Sequence, residues 1–255
     1  MENRSHDSQL DKCGHGILVA VATYNEIENL PTLANAIHTA LPTADVLVVD
    51  DNSPDGTGQW CDEFATESGW FEVHHRKGKL GLGSAIAKAM SIAVDKNYKS
   101  LITLDADWSH PPDQLPAIVQ ASENADVVVG SRYCRGGAIE GWPLHRRIAS
   151  RLVNAGTRFL LGTHLSDCSG NYRLYKTALL KTLLSKDLQS QGYAYLEEVL
   201  WHLQRLDARF AEVPITFTDR RSGQSKISIH EAWGVLCALL RMSWQRLTTF
   251  LKRSS

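Results

Sequence analysis

Short apolar runs recur along the first half of the chain, separated by stretches in which apolar positions return every three or four residues. ILVAVA at 17–22 and DVLVVD at 45–50 are the clearest of these runs. Runs of this length without polar alternation suit parallel strands buried on both faces. Three further strands are predicted at 71–75, 101–104 and 127–129. Helical spacing falls between them, over 29–41, 57–68, 81–94 and 114–123, and Pro31 suits a first helical turn. Strands alternating with helices predict an α/β fold. Its central sheet is mostly parallel, and helices cover both faces.

After Gly130 the alternation loosens. Residues 131–145 are rich in glycine and basic groups, 146–161 has helical spacing, 172–175 suits a strand, 194–206 a helix and 210–217 a strand. A loop over 218–228 precedes a last helix over 229–251. The expected organisation is a loose tail at 1–15, one domain over 16–228 and an amphipathic C-terminal helix within 229–255. The domain divides into halves at 16–130 and 131–228. In the last helix Trp233, Leu236, Leu240, Trp244, Leu247 and Leu251 share one face, and residues 241–253 add four basic groups and no acidic one. Such a helix either lies in a membrane interface or packs on a core, and the pattern serves both.

Composition narrows the class. Of 255 residues, 43% are hydrophobic and 22% charged, which excludes a disordered chain or a disulfide mini-protein. Cys13, Cys61, Cys134, Cys168 and Cys237 are widely spaced and form no CxxC pair, so neither a disulfide framework nor a cysteine zinc site is expected. The first residues have no apolar segment of a secretory leader. No run approaches the roughly 18–20 apolar residues of a membrane span. A soluble or peripheral protein of a reducing compartment is expected. The overall balance of 27 basic against 28 acidic residues conceals an asymmetry. Residues 1–130 hold 8 basic and 19 acidic groups, and residues 131–255 hold 19 and 9. The split coincides with the change in pattern at Gly130, which favours a functional division of charge.

Ligands of open α/β sheets bind beyond the carboxyl ends of the strands. Here those ends run into Thr23-Tyr24-Asn25-Glu26, Asp50-Asp51-Asn52-Ser53-Pro54-Asp55 and Asp105-Ala106-Asp107-Trp108-Ser109-His110. Carboxylates gathered on one edge repel unless a cation or hydrogen-bond donors compensate. Asp105 and Asp107 can turn toward one hard cation, which would complete its shell with water and substrate phosphate oxygens. They also suit turn or capping aspartates before Pro111-Pro112. Asp50, Asp51, Ser53 and Asp55 likewise suit Asx turns leading into a cap at Thr57. Gly78-Lys79-Leu80-Gly81-Leu82-Gly83 lacks the spacing of a phosphate loop and reads as a loop entering a helix, with Lys79 a point charge for a phosphate. Arg132, Arg135, Arg146, Arg147 and Arg151 cluster in one stretch, and Arg220, Arg221 and Lys226 in a later loop. Arginine forks suit phosphate oxygens. The histidines show no metal-ligand spacing and read as structural or surface residues.

Taken in order, ATYNE (22–26), VVDDNSPDGT (48–57), RKGKLGLGSA (76–85), DADWSHPP (105–112), GSRY (130–133), WPLHRRIAS (142–150), SGNYRLY (169–175), GYAYLEE (192–198) and VPITFTDRRSGQSK (213–226) are similar to one family. The chain resembles the family 2 glycosyltransferases of the GT-A fold, and within them the dolichol- and polyprenol-phosphate mannosyltransferases. The resemblance implies a Rossmann-like nucleotide-sugar domain and inverting hexose transfer, usually of mannose from GDP-mannose, to a polyprenyl phosphate. It implies that Tyr24, Glu26 and Asp51 hold the guanosine, with Ala22, Val49, Lys79 and Ala106 also in the donor site. Asp105, Asp107 and Ser109 would hold Mg²⁺ or Mn²⁺. Arg132, Arg146, Ser150, Arg220 and Lys226 would surround the donor and acceptor phosphates, with Asp107, Arg132, Arg146 and Arg220 in the catalytic role. It further implies peripheral attachment on the cytoplasmic side of a membrane, through the last helix or a membrane partner subunit, and no nucleic-acid partner.

Ala22 stands where a proline is common, and Trp108 stands where leucine is usual, beside the metal motif. Three alternatives remain: a UDP-sugar or non-lipid acceptor on the same fold, a phosphatase using Asp105 as nucleophile, and a non-catalytic nucleotide-sugar binder. Phosphatases of that kind usually carry the motif on their first strand, and here three strand units precede it.

Overall fold

The computed structural model describes residues 14, 16–190, 192, 194–219 and 229–253, with side chains of the last helix described over 233–248. The expected tail at 1–15, apart from Gly14, lies outside the described residues, as do Arg220, Arg221, Lys226 and the placement of Leu251's side chain.

The chain runs β1 (Ile17–Thr23), α1 (Leu30–Ala40), β2 (Asp45–Asp50), α2 (Thr57–Glu67), β3 (Phe71–His75), α3 (Leu82–Asp95) and β4 (Ser100–Asp105). A 3₁₀ turn (Pro112–Gln114), α4 (Leu115–Ala121), β5 (Val127–Ser131), β6 (Ala138–Ile139), α5 (Leu144–Leu161) and β7 (Arg173–Lys176) follow. The described chain closes with α6 (Thr177–Leu183), α7 (Ala194–Arg205), β8 (Phe210–Pro214), β9 (Thr216–Phe217) and α8 (Ile229–Arg253).

Seven strands form the main sheet in the order β3-β2-β1-β4-β7-β5-β8. Its neighbours are parallel except at β7, which runs antiparallel to both β4 and β5. Successive strand residues point to opposite faces, so each strand feeds two cores. Val19, Val21, Val48 and Ile102 pack with Leu33 and Ile37 of α1 and with Ile118 of α4. Leu18, Ala20, Leu47 and Leu101 pack with Ile86 and Met90 of α3, Leu180 of α6 and Val199 of α7 on the other face. Each such aliphatic side chain contributes about 1.5–3 kcal/mol by leaving water. Gly83 lets α3 approach α7, because a Cβ there would sit 2.6 Å from the Cβ of Tyr195.

Several expectations need correction. Residues 210–217 are two strands, not one. Pro214 offers no N–H, and the chain changes sheets at Ile215: β8 pairs with β5, while β9 pairs with β6. β6 and α6 were not legible, since two residues of strand and seven of helix carry too little periodicity. Thr57 is the first residue of its helix and not the cap, which is Gly56 at φ 93°. The apolar stripe of α8 is not its packed face. Ala238, Leu239 and Met242 are buried against Leu161 of α5 and Trp201 of α7, whereas Trp233, Leu236, Leu240, Trp244 and Leu247 are exposed.

Candidate active site

β2, β1 and β4 lie side by side, so their carboxyl ends deliver the three acidic segments to one edge. Hydrogen bonds knit the first two. The Asp50 carboxylate accepts the Ser53 amide at 3.2 Å, and the Ser53 hydroxyl accepts the Asn25 amide at 2.9 Å. Asp55 accepts the amides of Ile27 at 3.2 Å and Thr57 at 3.0 Å. Burial alone would raise the Asp55 carboxyl, but the Thr57 hydroxyl and these amides hold it below its usual range. Donors therefore compensate this cluster, as an acidic edge requires.

Asp51 is buried and braces the glycine-rich loop. Its Oδ2 accepts the amides of Leu80 at 3.0 Å and Gly81 at 3.1 Å, and it forms an ion pair with Arg76. Arg76 in turn donates to Ser84 at 2.6 Å and to the Gly81 carbonyl at 3.0 Å. This carboxylate thus fixes the shape of the loop at that edge of the sheet. The loop places the Lys79 ammonium 4.2 Å above the Tyr24 ring, and Glu26 accepts from Asn29 at 2.8 Å. Tyr24, Glu26 and Lys79 share that rim. Ala22 and Val49 line a cavity of about 10 Å³ beneath the edge, with Thr103 and Asn171, which is room for about one water.

The segment after β4 turns sharply, with Trp108 at φ 64°. That left-handed conformation is costly for a bulky residue and marks a shape held by its surroundings. The Trp108 indole turns toward α1, where its Nε1–H points at the Asn29 carbonyl at 3.4 Å, so it anchors the turn. Ala106 is buried behind it. Asp107 accepts the Ser109 amide at 3.1 Å. The Ser109 hydroxyl is fully buried and has no hydrogen-bond partner among the described residues. A buried hydroxyl is normally satisfied, so this oxygen fits a ligand role beside the two carboxylates. No group of three His, Cys, Asp or Glu side chains placed to hold a metal occurs among the described residues. Two carboxylates with a hydroxyl suit Mg²⁺ or Mn²⁺ held jointly with substrate phosphate oxygens.

Asn171 and His110 orient Asp105, and neither was singled out from sequence. The Asn171 amide donates to Asp105 Oδ1 at 2.9 Å. The antiparallel register sets Thr103 against Arg173, so two steps further Asp105 faces Asn171. His110 Nδ1 accepts the Asp105 amide at 3.1 Å. Burial pushes the His110 imidazole below its ordinary pKa despite the nearby carboxylates, so a neutral ring serves as acceptor.

On the far side, Arg132 is buried in a bidentate pair with Asp167, at 2.6 and 2.7 Å. Burial would raise the Asp167 carboxyl, but the guanidinium holds it below its usual range. Asp167, also absent from the predicted set, accepts the Arg132 and Gly170 amides as well, at 3.1 and 3.2 Å. Arg132 is therefore a fixed, charge-paired guanidinium among Tyr133, Trp142 and Phe217, 5.3–5.7 Å from their ring centres. Arg146 lies 3.9 Å over the Trp142 ring and 3.3 Å from Asp219. The Ser150 hydroxyl accepts from Tyr133 at 2.6 Å. β9 joins this side to the carboxylates. Phe217 stacks edge-on with His110 at 5.4 Å, and the Thr218 hydroxyl donates to the Trp108 carbonyl at 3.2 Å. Of the expected positions, all but Arg220 and Lys226 are thus placed. They form a rim, an acidic centre and a basic, aromatic flank.

Paired aspartates at the carboxyl edge of a mostly parallel sheet, beside a cationic flank, suit a phosphate-bearing substrate held with a divalent cation. Residues 18–184 match glycosyl transferase family 2, and the chain belongs to that family. It is 41% identical over 83% of its length to an undecaprenyl-phosphate mannosyltransferase of Micrococcus luteus, covering 87% of that protein. It is 39% identical to a polyprenol monophosphomannose synthase of Mycolicibacterium smegmatis, covering 86% of each. Among solved structures, glucosyl-3-phosphoglycerate synthase of Mycobacterium tuberculosis, with Mn²⁺, UDP and glucosyl-3-phosphoglycerate, superposes with a TM-score of 0.64. That match spans 90% of this chain and 80% of the other at 20% identity, which speaks to the fold.

Proposed function

We propose that this chain transfers mannose from GDP-mannose to a polyprenyl phosphate with inversion at the sugar carbon. The observation that carries the reading is the likeness, over most of the chain, to two proteins named for mannose transfer to a polyprenyl phosphate. The site chemistry agrees with it. An acceptor phosphate oxygen is already ionised at neutral pH, so it attacks the sugar carbon without a general base. One carbon–oxygen bond forms as the bond to the diphosphate breaks, and the nucleoside diphosphate leaves with the electron pair. Asp105, Asp107 and Ser109 would hold Mg²⁺ or Mn²⁺, which supplies charge stabilisation for the leaving diphosphate. Tyr24, Glu26 and the loop braced by Asp51 would hold the nucleoside, with Ala22, Val49 and Ala106 beneath it and Lys79 near the phosphates. Arg132, Arg146 and Ser150, with Arg220 and Lys226 of the segment that follows in sequence, would receive the acceptor phosphate. Catalysis then rests on positioning and on fixed charge.

In this reading residues 16–228 form the transfer unit, and 229–255 bring it to a membrane surface. No helix among the described residues is long and apolar enough to cross a membrane. Labelled sugar transfer tests the proposal. GDP-mannose with a polyprenyl phosphate and Mn²⁺ should yield lipid-extractable label, and GDP should raise the Tm more than UDP. Transfer from UDP-sugars alone, or release of inorganic phosphate from simple esters without lipid labelling, would overturn it.

A further inference from the structure

α5 carries two parallel stripes that the transfer reaction does not use. At 3.6 residues per turn, Leu144, Ile148, Leu152 and Phe159 fall on one stripe, and Arg147, Arg151 and Arg158 on the adjoining one. The apolar stripe faces solvent, with Leu152 67% and Phe159 83% exposed. Asn154, Thr157 and Leu161 on the opposite side are buried. α8 packs beside α5, where Arg246 points at the carbonyls of Phe159 and Leu160 at 3.4 and 3.3 Å. α8 adds its own exposed stripe, with Trp233 64% and Trp244 69% exposed. Large apolar side chains exposed on two helices packed side by side mark an interaction site. Tryptophans, aliphatic groups and a cationic border are the composition of a helix lying in a lipid interface.

On the arginine side of α5 lies an open cavity of about 280 Å³, lined by Tyr133, Arg151, Asn154, Ala155, Arg158 and Ser166. Its size is near the lower end of small-ligand pockets, which start at about 300 Å³. Neither Arg151 nor Arg158 makes an ion pair among the described residues. Two guanidinium forks suit the oxygens of a phosphate monoanion or diester, while the Tyr133 hydroxyl at the cavity wall already donates to Ser150. Asn154 closes the floor: its amide reaches Ser169 at 3.2 Å, and Ser169 accepts from Arg132 at 2.8 Å.

We infer that this cavity binds the phosphate headgroup of an anionic phospholipid from the bilayer on which α5 and α8 rest. The headgroup is the favoured occupant because the cavity borders the apolar stripe that would face the acyl region. The inference rests on the membrane-facing reading of the last helix and adds the lipid class and a second helix. A bound headgroup would hold α5 level with the interface. The acceptor-side arginine and serine on the same helix would then lie at a fixed depth.

Co-sedimentation of the full chain with vesicles of phosphatidylcholine, with and without phosphatidylglycerol, tests this. The parent should bind both and prefer the anionic vesicles. Arg151→Gln/Arg158→Gln should lose that preference, weakening binding to anionic vesicles on the order of tenfold to thirtyfold. Its binding to neutral vesicles should be unchanged. Arg151→Lys/Arg158→Lys keeps the charge but not the forks, and should lose part of the preference. Full preference in the lysine variant would assign the effect to diffuse charge and overturn the pocket. A raised KM for short-chain prenyl phosphate in detergent, with vesicle preference intact, would give the cavity to the acceptor and overturn it as well. Mannosyl transfer in detergent is the separate readout of the proposed activity. Its loss in the parent would sink that reading without touching the vesicle result.

Discussion

Single side chains in this site work in pairs, one presenting charge and another aiming it. The Asp105 carboxylate is aimed by Asn171 at 2.9 Å while the ring of His110 holds its backbone amide, and Arg132 is fixed by Asp167. The aspartates and arginines were legible because their types and strand-end positions announce their chemistry. Their orienting partners were not: an asparagine in SGNYRLY and an aspartate in DCSG look like turn residues. Only the strand register brings them opposite their targets. Groups that orient a metal ligand typically matter 10–100-fold in metal affinity or activity. Asn171→Ala should therefore raise the Mn²⁺ concentration for half-maximal transfer about 10–100-fold, while saturating metal restores much of the rate. A metal dependence identical to the parent's would show that Asn171 does not position Asp105.

At the scale of elements, long wholly apolar strands and helices with sustained spacing were legible, since burial on two faces leaves little choice of residue. Strand direction was not. RLYK reads the same whether β7 runs with or against its neighbours, and β6 is only two residues long. α8 shows a different limit. Its periodicity revealed an apolar stripe but not which way the stripe points. The packed face uses smaller or more adaptable residues, Ala238, Leu239 and Met242, while the tryptophans face out. Two substitutions separate the faces. Met242→Ala should lower stability by about 2–5 kcal/mol, the usual cost of emptying a core site. Trp244→Ser should leave the Tm nearly unchanged and reduce binding to vesicles. A large Tm loss at Trp244, with vesicle binding retained, would mean that the exposed stripe serves folding and not the interface.

Across the whole molecule, charge pairing among the described residues stays mostly local to each half. The described ion pairs fall largely within one half, such as Asp51–Arg76 and Arg132–Asp167, and Arg209–Asp126 joins the two. Stability should also depend on pH through a buried group. Burial pushes the Glu197 carboxyl from 4.5 up to about 7, with the Arg173 charge opposing it. A raised folded pKa contributes stability fully below 4.5, and that contribution is lost as pH rises through about 7. Between roughly pH 5 and pH 8, Glu197→Gln should gain on the parent by about 2–3 kcal/mol, read from denaturant midpoints. A gap that stays constant across that window would show that Glu197 does not titrate there. Asp126 works in the other sense. Hydrogen bonds from Arg209 hold its carboxyl down to about 2, so its contribution is present above the ordinary 3.8 and fades as pH falls toward 2.

The reversed direction of β7 also bears on how the chain is made. A strand running against its neighbours brings its beginning to the edge where they deliver their ends. The amide that aims Asp105 therefore lies 66 residues downstream of it. A chain emerging from its N-terminus exposes β4 as an open sheet edge until β7 arrives to cover it. Covering that edge and completing the acidic centre are one event. A chain interrupted before β7 carries the carboxylates without the group that points them.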